Sequence, residues 1–213
     1  MTCPVVGLVG GVGSGKSTLT RRAAELFGLA AIDGDAAGHR ALIDPAVNIH
    51  IQRHFGDAVM TSDGSIDRAA LANRVFGASP EHQRDKALLE QLTHPVIRRE
   101  FHERIAAARA AGAAAILLDA AVLLEAGWRE LCDAVVFIDA PEHLRRSRAA
   151  DRGWSEQQWR RREASQLSLA EKRRHADAVI DNSGTLDAAA ESLAGTIEQI
   201  CGVRLPRPAA VPT

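Results

Sequence analysis

The sequence lacks the features that mark disulfide-bonded, zinc-binding and membrane-spanning proteins. Its 213 residues include three cysteines, Cys3, Cys132 and Cys201, which are widely spaced and form no C-x-x-C pair. This odd, scattered set predicts neither a disulfide framework nor a structural zinc site. No apolar run reaches the roughly 20 residues that a membrane-spanning helix needs, and the N-terminus lacks the pattern of a signal peptide. We therefore expect a soluble protein in the reducing cytoplasm.

The chain also has no excess of positive or negative charge. The chain has 26 Lys and Arg against 27 Asp and Glu, a formal net charge of -1. No overall basic field therefore predicts binding to nucleic acid or to a membrane, and any anion must be bound by a local cluster. Apolar residues make up 46% of the chain. That content and length are typical of one compact domain with a substantial core.

Five short apolar runs alternate with longer helical stretches along the chain. The runs cover residues 5–9, 30–32, 114–118, 134–138 and 178–180. Such alternation predicts an α/β fold, with a parallel sheet covered by helices on both faces. Ser155 and Gln158 form a capping-box pattern that predicts a further helix start. The proline-containing sequence from residue 202 to 213 predicts a flexible tail.

The interval between the second and third runs is too long for one crossover helix. It contains four stretches with helical patterns, separated by glycines. These stretches are residues 45–55, 67–76, 80–92 and 95–111. We interpret residues 45–112 as a helical insertion that holds a second substrate, within one domain of residues 1–201 whose core is 1–44 and 113–201.

A glycine-rich segment, GLVGGVGSGKST, follows the first apolar run. Gly10, Gly15, Lys16 and Ser17 fit the pattern G-x-x-x-x-G-K-[ST], and a helical pattern follows them. The glycines let backbone N–H groups turn toward a phosphate, and the helix adds its positive N-terminus. Lys16 would reach the β- and γ-phosphates of a nucleotide, and the Ser17 hydroxyl would ligate Mg²⁺. The segment predicts a phosphate-binding loop (P-loop).

Carboxylates lie where the second and third runs end. Asp33 and Asp35 follow the second run, and Asp119 closes the third. A parallel sheet presents the carboxyl ends of its strands to the ligand, and a kinase needs a carboxylate there to orient the attacking hydroxyl. The alternative for Asp33 and Asp35 is capping of the next helix. Asp119 either acts on magnesium through water or caps the strand end.

Basic residues are concentrated between Arg145 and Arg174. This stretch has nine arginines and one lysine against four acidic residues. Because guanidinium groups neutralise the charge of a transferring phosphoryl group, the stretch predicts a lid over residues 145–174 that closes over ATP. Most of these arginines are expected on a solvated helix face, with two or three in the site.

The sequence resembles the dephospho-CoA kinases over about residues 5–200. The stretches that carry the resemblance, besides the P-loop, are IDGDAAGHRAL, DGSIDRAALANRVF, LLEQLTHPVIR, LLDAAVLLEAGW, LRRSRAADRGWS and ASQLSLAEKRRHADAVIDNSG. It implies a nucleoside-monophosphate-kinase-like fold with a five-stranded parallel sheet, and transfer of the γ-phosphoryl group of ATP to the ribose 3'-hydroxyl of dephospho-CoA. The implied partners are ATP, dephospho-CoA and Mg²⁺, and we expect a monomer or a weak homo-oligomer. The rival interpretations are a P-loop kinase for another small molecule and a P-loop regulatory ATPase.

The resemblance also implies roles for individual residues. The implied catalytic residues are Asp35, Lys16, Arg146 and Arg152. The implied ATP contacts are Gly11, Gly13, Ser14, Gly15, Lys16, Ser17, Thr18, Asn182 and Gly184. The implied substrate contacts are Asp33, His94, Leu123 and Glu125. For His94, capping of a helix that begins after it is an equal alternative.

Two departures from the family pattern affect these roles. Ala121 stands where the family usually has proline, which predicts a looser turn on the substrate side. An extra residue in RSRAADRGWS leaves the register of the lid arginines open.

Overall fold

A computed structural model describes residues 3–77 and 79–207. The strands are β1 (Val5–Gly10), β2 (Ala30–Asp33), β3 (Ile116–Asp119), β4 (Ala134–Asp139) and β5 (Ala178–Asp181). The helices are α1 (Lys16–Phe27), α2 (Gly34–Ala41), α3 (Pro45–Phe55), α4 (Arg68–Val75), α5 (Pro80–Ala110), α6 (Glu142–Ala150), α7 (Glu156–Ala164), α8 (Leu169–Arg174) and α9 (Leu186–Cys201). Short 3-10 helices lie at Asp57–Val59 and Trp128–Leu131.

The five strands form one parallel sheet in the order β2-β3-β1-β4-β5. Each predicted apolar run becomes a strand, so the predicted five-stranded parallel sheet is confirmed. In the register, Val6 of β1 pairs with Leu117 of β3 on one side and with Ala134 of β4 on the other. Because all strands run in the same direction, their carboxyl ends lie along one edge, where a parallel α/β sheet binds ligands.

The described residues form two compact units. The first contains the residues up to Asp33 and from Glu103 onward, and so includes the whole sheet. Its core joins the sheet to α1 and α9. Fully buried members of this core include Leu8, Leu19, Leu117, Leu193 and Ile197. Apolar residues three or four positions apart on α9, such as Leu193 and Ile197, share one face and therefore bury together.

The second unit, Gly34–His102, is helical and has a core of its own. The Asp44 side chain caps α3 by accepting a hydrogen bond from the Ala46 amide at 2.9 Å, and Asp67 caps α4 by accepting one from Ala69 at 2.9 Å. Both helices match the predicted stretches. The buried core consists of Val47, Ile51, Val59, Leu71 and Val75.

Residues 80–110 form one helix, so the predicted break before Pro95 is wrong. Proline removes one helical hydrogen bond and disfavours a helix interior. Leu89, Leu92 and Val96, on both sides of Pro95, pack against the same core. The packing of these side chains offsets the lost helical hydrogen bond, so the helix continues past Pro95. Because no helix begins after His94, the capping role considered for this histidine is also wrong.

The chain packs on the first unit beyond the end of α9. Leu205 is 5% exposed, and its amide donates to Glu198 Oε1 at 2.9 Å. The Arg207 guanidinium lies 5.8 Å from the ring centroid of Phe27. Within the predicted tail, Leu205 and Arg207 therefore have contacts with the first unit, and residues 208–213 lie outside the described residues. None of the described helices is long and apolar enough to cross a membrane.

Candidate active site

The predicted P-loop joins β1 to α1, in the strand–loop–helix context that the motif requires. Gly13 and Gly15 have φ values of +82° and +87°, a region that side chains disfavour. A Cβ atom on Gly13 would lie 2.2 Å from the carbonyl oxygen of Arg145, and one on Gly15 would lie 2.5 Å from Asn182 Nδ2. Conformation and close packing therefore both require glycine at these two positions.

The start of α1 has the character of an anion site. Gly15 is the N-cap residue of α1 and supplies no side-chain acceptor to the first turn. The backbone N–H groups of a first helical turn have no acceptor within the helix, and the helix dipole adds positive potential there. Ser14 Oγ is buried and has no hydrogen-bond partner within residues 3–77 and 79–207. These unsatisfied donors fit a phosphate chain.

Lys16, the first residue of α1, lies next to a strand-end carboxylate. Its Nζ is 3.5 Å from Asp119 Oδ1, and the side chains are 11% and 8% exposed. Asp119 ends β3 and pairs in register with Leu8 of β1 and with Asp33, the exposed last residue of β2. The sheet therefore places two carboxylates and the P-loop at its carboxyl edge.

Two arginines of α6 donate hydrogen bonds to backbone carbonyls of the P-loop. Arg148 donates to the carbonyl of Ser14 at 3.1 Å and to that of Asn182 at 2.8 Å. Arg145 is 4% exposed and donates to the Val12 carbonyl at 3.4 Å. Sequence reasoning did not single out these two residues within the arginine-rich stretch. Their spacing of three, which puts them on one helix face, is the signal that could have identified them.

The arginines expected to act in catalysis have different surroundings. Arg146 forms ion pairs with Glu156 at 3.0 Å and with Glu142 at 3.7 Å, and its side chain is 43% exposed. Arg152 is exposed in the turn that follows α6. Arg146 and Arg152 are thus exposed to solvent, whereas Arg145 and Arg148 donate hydrogen bonds to backbone carbonyls of the P-loop. The catalytic role of Arg146 and Arg152 stays a prediction.

Asn182 follows β5 and contacts the P-loop directly. It is 3% exposed, and its Nδ2 donates to the Ser14 carbonyl at 2.7 Å. Asp181 accepts hydrogen bonds from the amide and the hydroxyl of Ser183, both at 2.9 Å, in the turn that leads to the exposed Gly184. The side-chain amide of Asn182 thus supports the loop, and its contact with ATP stays a prediction.

The residues expected to contact the substrate after β3 have internal partners. Leu123 is fully buried, and a Cβ on Gly7 of β1 would lie 2.8 Å from its Cδ1. Glu125 Oε1 accepts a hydrogen bond from the Leu167 amide at 2.8 Å. The structure therefore places Leu123 in the core and uses Glu125 to hold the segment that precedes α8.

A buried lysine that sequence reasoning missed lies beside Glu125. Lys172 of α8 is 1% exposed, and its Nζ donates to Gln166 Oε1 at 2.6 Å and to the Ala121 carbonyl at 3.2 Å. It also lies 3.3 Å from Glu125 Oε1. Burial lowers the pKa of Lys172, while the Glu125 carboxylate opposes that shift. The turn at Ala121, expected to be loose without proline, is thus held by the lysine.

Two predicted site residues belong to the helical unit. Asp35 is exposed in the first turn of α2, because β2 ends at Asp33. His94 lies within α5, where burial lowers the pKa of its imidazole.

The parallel sheet, the P-loop and its Lys16 define a P-loop nucleotide-binding protein. The family model for dephospho-CoA kinase matches residues 4–188. The dephospho-CoA kinase of Corynebacterium diphtheriae is 39% identical over 86% of this chain and 90% of its own, and that of Symbiobacterium thermophilum is 38% identical over 97% and 85%. The crystal structure of TT1252 from Thermus thermophilus, 30% identical, superposes with a TM-score of 0.76 over 93% of this chain and 98% of its own. The chain belongs to the dephospho-CoA kinase family, whose ATP-dependent phosphotransfer serves coenzyme A biosynthesis.

Proposed function

We propose that the P-loop binds the triphosphate of ATP and that Asp35 aims the ribose 3'-hydroxyl of dephospho-CoA at the γ-phosphorus. The observation that carries this proposal is the pair of Lys16 and Asp119 beside an uncapped helix start. Lys16 places a mobile positive charge where the β- and γ-phosphates are bound in P-loop proteins. Asp119 lies 3.5 Å from that lysine and balances its charge.

The carboxyl edge of the sheet also fits a magnesium ion. Mg²⁺ prefers oxygen ligands and usually takes one or two from the protein while substrate phosphates supply others. The exposed Ser17 hydroxyl in the first turn of α1 and the carboxylate of Asp119 offer such oxygens. A bound Mg²⁺ would neutralise charge that develops on the phosphates. No cluster of three or more His, Cys, Asp or Glu in the described residues could hold a metal without the nucleotide.

We propose Asp35 as the residue that contacts the acceptor hydroxyl. It follows Asp33, the end of β2, by two residues and is exposed. A carboxylate in this role orients the attacking hydroxyl and accepts its proton as the phosphoryl group moves. Arg146 and Arg152 are the proposed groups that meet the transferring charge, and Asn182, Gly184 and His94 are proposed to contact the substrates.

The test is to incubate the protein with ATP, magnesium and dephospho-CoA and to measure the mass of the acceptor. We expect the mass gain of one phosphate, equimolar ADP, and no transfer to a 3'-deoxyribose analogue. A preference for a nucleoside, nucleotide or other metabolite in an acceptor panel would instead identify a different small-molecule kinase. Full ADP formation without any acceptor, stimulated by a protein partner, would favour a regulatory ATPase.

A further inference from the structure

The P-loop has little conformational preference of its own around Val12. Both neighbours of this residue, Gly11 and Gly13, are glycines, and glycine loses more conformational freedom on folding than any other residue. A loop of this composition needs contacts from outside to hold one conformation. Val12 is 9% exposed, so those contacts reach it from the surrounding protein.

Helix α7 binds both polar groups of Val12. The Val12 amide donates to Glu163 Oε2 at 2.9 Å, and the Val12 carbonyl accepts from Trp159 Nε1 at 3.1 Å. Trp159 and Glu163 are four residues apart and therefore lie on one face of the helix. The capping box between Ser155 and Gln158 fixes where α7 begins, and hence which face this is.

Arg145 fixes the carboxylate that accepts from Val12. Its Nη1 donates to Glu163 Oε1 at 2.5 Å, and its guanidinium lies 5.4 Å from the ring centroid of Trp159. The arginine is 4% exposed and Trp159 is 6% exposed, so both side chains are shielded from water. A charge-assisted bond in such surroundings is stronger than one at the surface. The carboxylate is therefore held in one orientation.

From these contacts we propose that Trp159 and Glu163 are positioning residues for the P-loop. They hold the Val12 peptide against α7 and so keep the following residues in the conformation that receives the phosphates. Neither residue needs to touch ATP, because each acts through the backbone of Val12. The inference rests on the proposed binding of ATP by this loop and does not depend on the acceptor.

The test compares MgATP binding, measured by calorimetry well below the unfolding temperature, in conservative variants. Trp159→Phe keeps a packed ring but removes the indole N–H that donates to the Val12 carbonyl at 3.1 Å, and leaves that carbonyl with the longer bond from Arg145 at 3.4 Å. We expect a rise in Kd of roughly three- to tenfold, the usual effect of one lost hydrogen bond. Trp154→Phe is the matched control. Trp154 packs against the buried cluster of Val12, Ala149 and Trp159, and the Arg162 guanidinium lies 4.2 Å from its ring centroid. The replacement of Trp154 by phenylalanine should leave the Kd for MgATP unchanged.

Glu163 supplies the second arm of the test. Glu163→Ala removes the acceptor for the Val12 amide and should raise the Kd by about tenfold or more. Glu163→Gln keeps an oxygen for that amide and should restore part of the affinity. In steady-state assays the KM for ATP should rise in these variants while the KM for dephospho-CoA stays constant.

Three outcomes separate the possibilities. If Trp159→Phe and Glu163→Ala lower only the unfolding temperature and bind MgATP like the wild type, these residues are merely structural and the inference is overturned. If the variants weaken MgATP binding but the wild type transfers no phosphate to dephospho-CoA, the positioning role stands and the proposed acceptor is wrong. If the wild type does not bind MgATP, both proposals are wrong.

Discussion

The ammonium group of Lys16 and the carboxylate of Asp119 lie 3.5 Å apart, and both side chains are about nine-tenths buried. The pair joins the first residue of α1 to the last residue of β3, so it links the proposed phosphate site to the edge of the sheet. Under the proposed binding of ATP, the triphosphate would offer Lys16 a second, more highly charged partner.

Replacing Lys16 by alanine should abolish measurable turnover. The variant loses the charge that meets the phosphates, and removal of one such electrostatic contact typically costs about 10²- to 10³-fold in kcat. It also leaves Asp119 without its cation, which destabilises the fold. The double variant Lys16→Ala with Asp119→Asn should regain stability but not activity. Normal turnover by the single variant would show that this loop is not the ATP site.

Asp35→Asn should lower kcat by about 10²- to 10⁴-fold, the usual range for a general base, with nearly unchanged ATP affinity. The amide keeps the size of the carboxylate but cannot accept a proton at neutral pH. Single-turnover transfer to dephospho-CoA, together with nucleotide binding by calorimetry, would measure both quantities. Asp33→Asn is the matched control, and a larger loss there than in Asp35→Asn would exchange the roles of the two residues.

The arginines of the lid should divide into two classes. Arg146→Ala and Arg152→Ala should lower kcat more than they weaken dephospho-CoA binding, since their charge acts on the transition state. Arg148→Ala should chiefly weaken ATP binding and stability, because this side chain holds the carbonyls of Ser14 and Asn182. Arg160→Ala, which removes an exposed pair with Glu156, serves as the control. Equal, small effects from all four would indicate a solvated basic face only.

Lys172→Met should destabilise the protein by about 1–3 kcal/mol, because the Ala121 carbonyl and Gln166 Oε1 lose their donor and Glu125 loses its cation. Adding Glu125→Gln should recover part of that loss, because the carboxylate charge is then removed as well. Urea denaturation of the single and double variants would measure the coupling, with Arg174→Met on the exposed part of α8 as the control. Additive effects of the two substitutions would contradict the ion pair.

The lowered pKa of Lys172 also predicts a pH dependence of stability. Between that lowered pKa and the ordinary value of 10.5, the unfolded state binds a proton that the folded state does not. The free energy of unfolding therefore rises with pH in this window through this group. The difference in stability between the wild type and Lys172→Met should grow in favour of the wild type as pH increases there. A difference that falls with pH would have the wrong sign.

Much of this protein could be predicted from residues that are close in sequence. The P-loop is predicted from the spacing of Gly10, Gly15 and Lys16. Its glycines Gly13 and Gly15 have the positive φ values that the motif requires. The apolar runs of β1, β3 and β4 became strands because four to six buried residues in a row suit a sheet covered on both faces. The capping box at Ser155 formed because its two partners are three residues apart.

Other features were decided only by contacts between distant parts of the chain. Helix α5 continues through Pro95 because packing of its apolar face outweighs a local preference for a break. The side chains of Arg148 and Arg145 reach the P-loop across more than 130 residues, so the sequence around α6 cannot show which arginines face it. Lys172 Nζ donates a hydrogen bond to the carbonyl of Ala121, which lies 51 residues earlier in the sequence. Local patterns determine which elements form and where a phosphate binds, whereas the face that each helix buries, and therefore which charges support the site, depends on the tertiary packing.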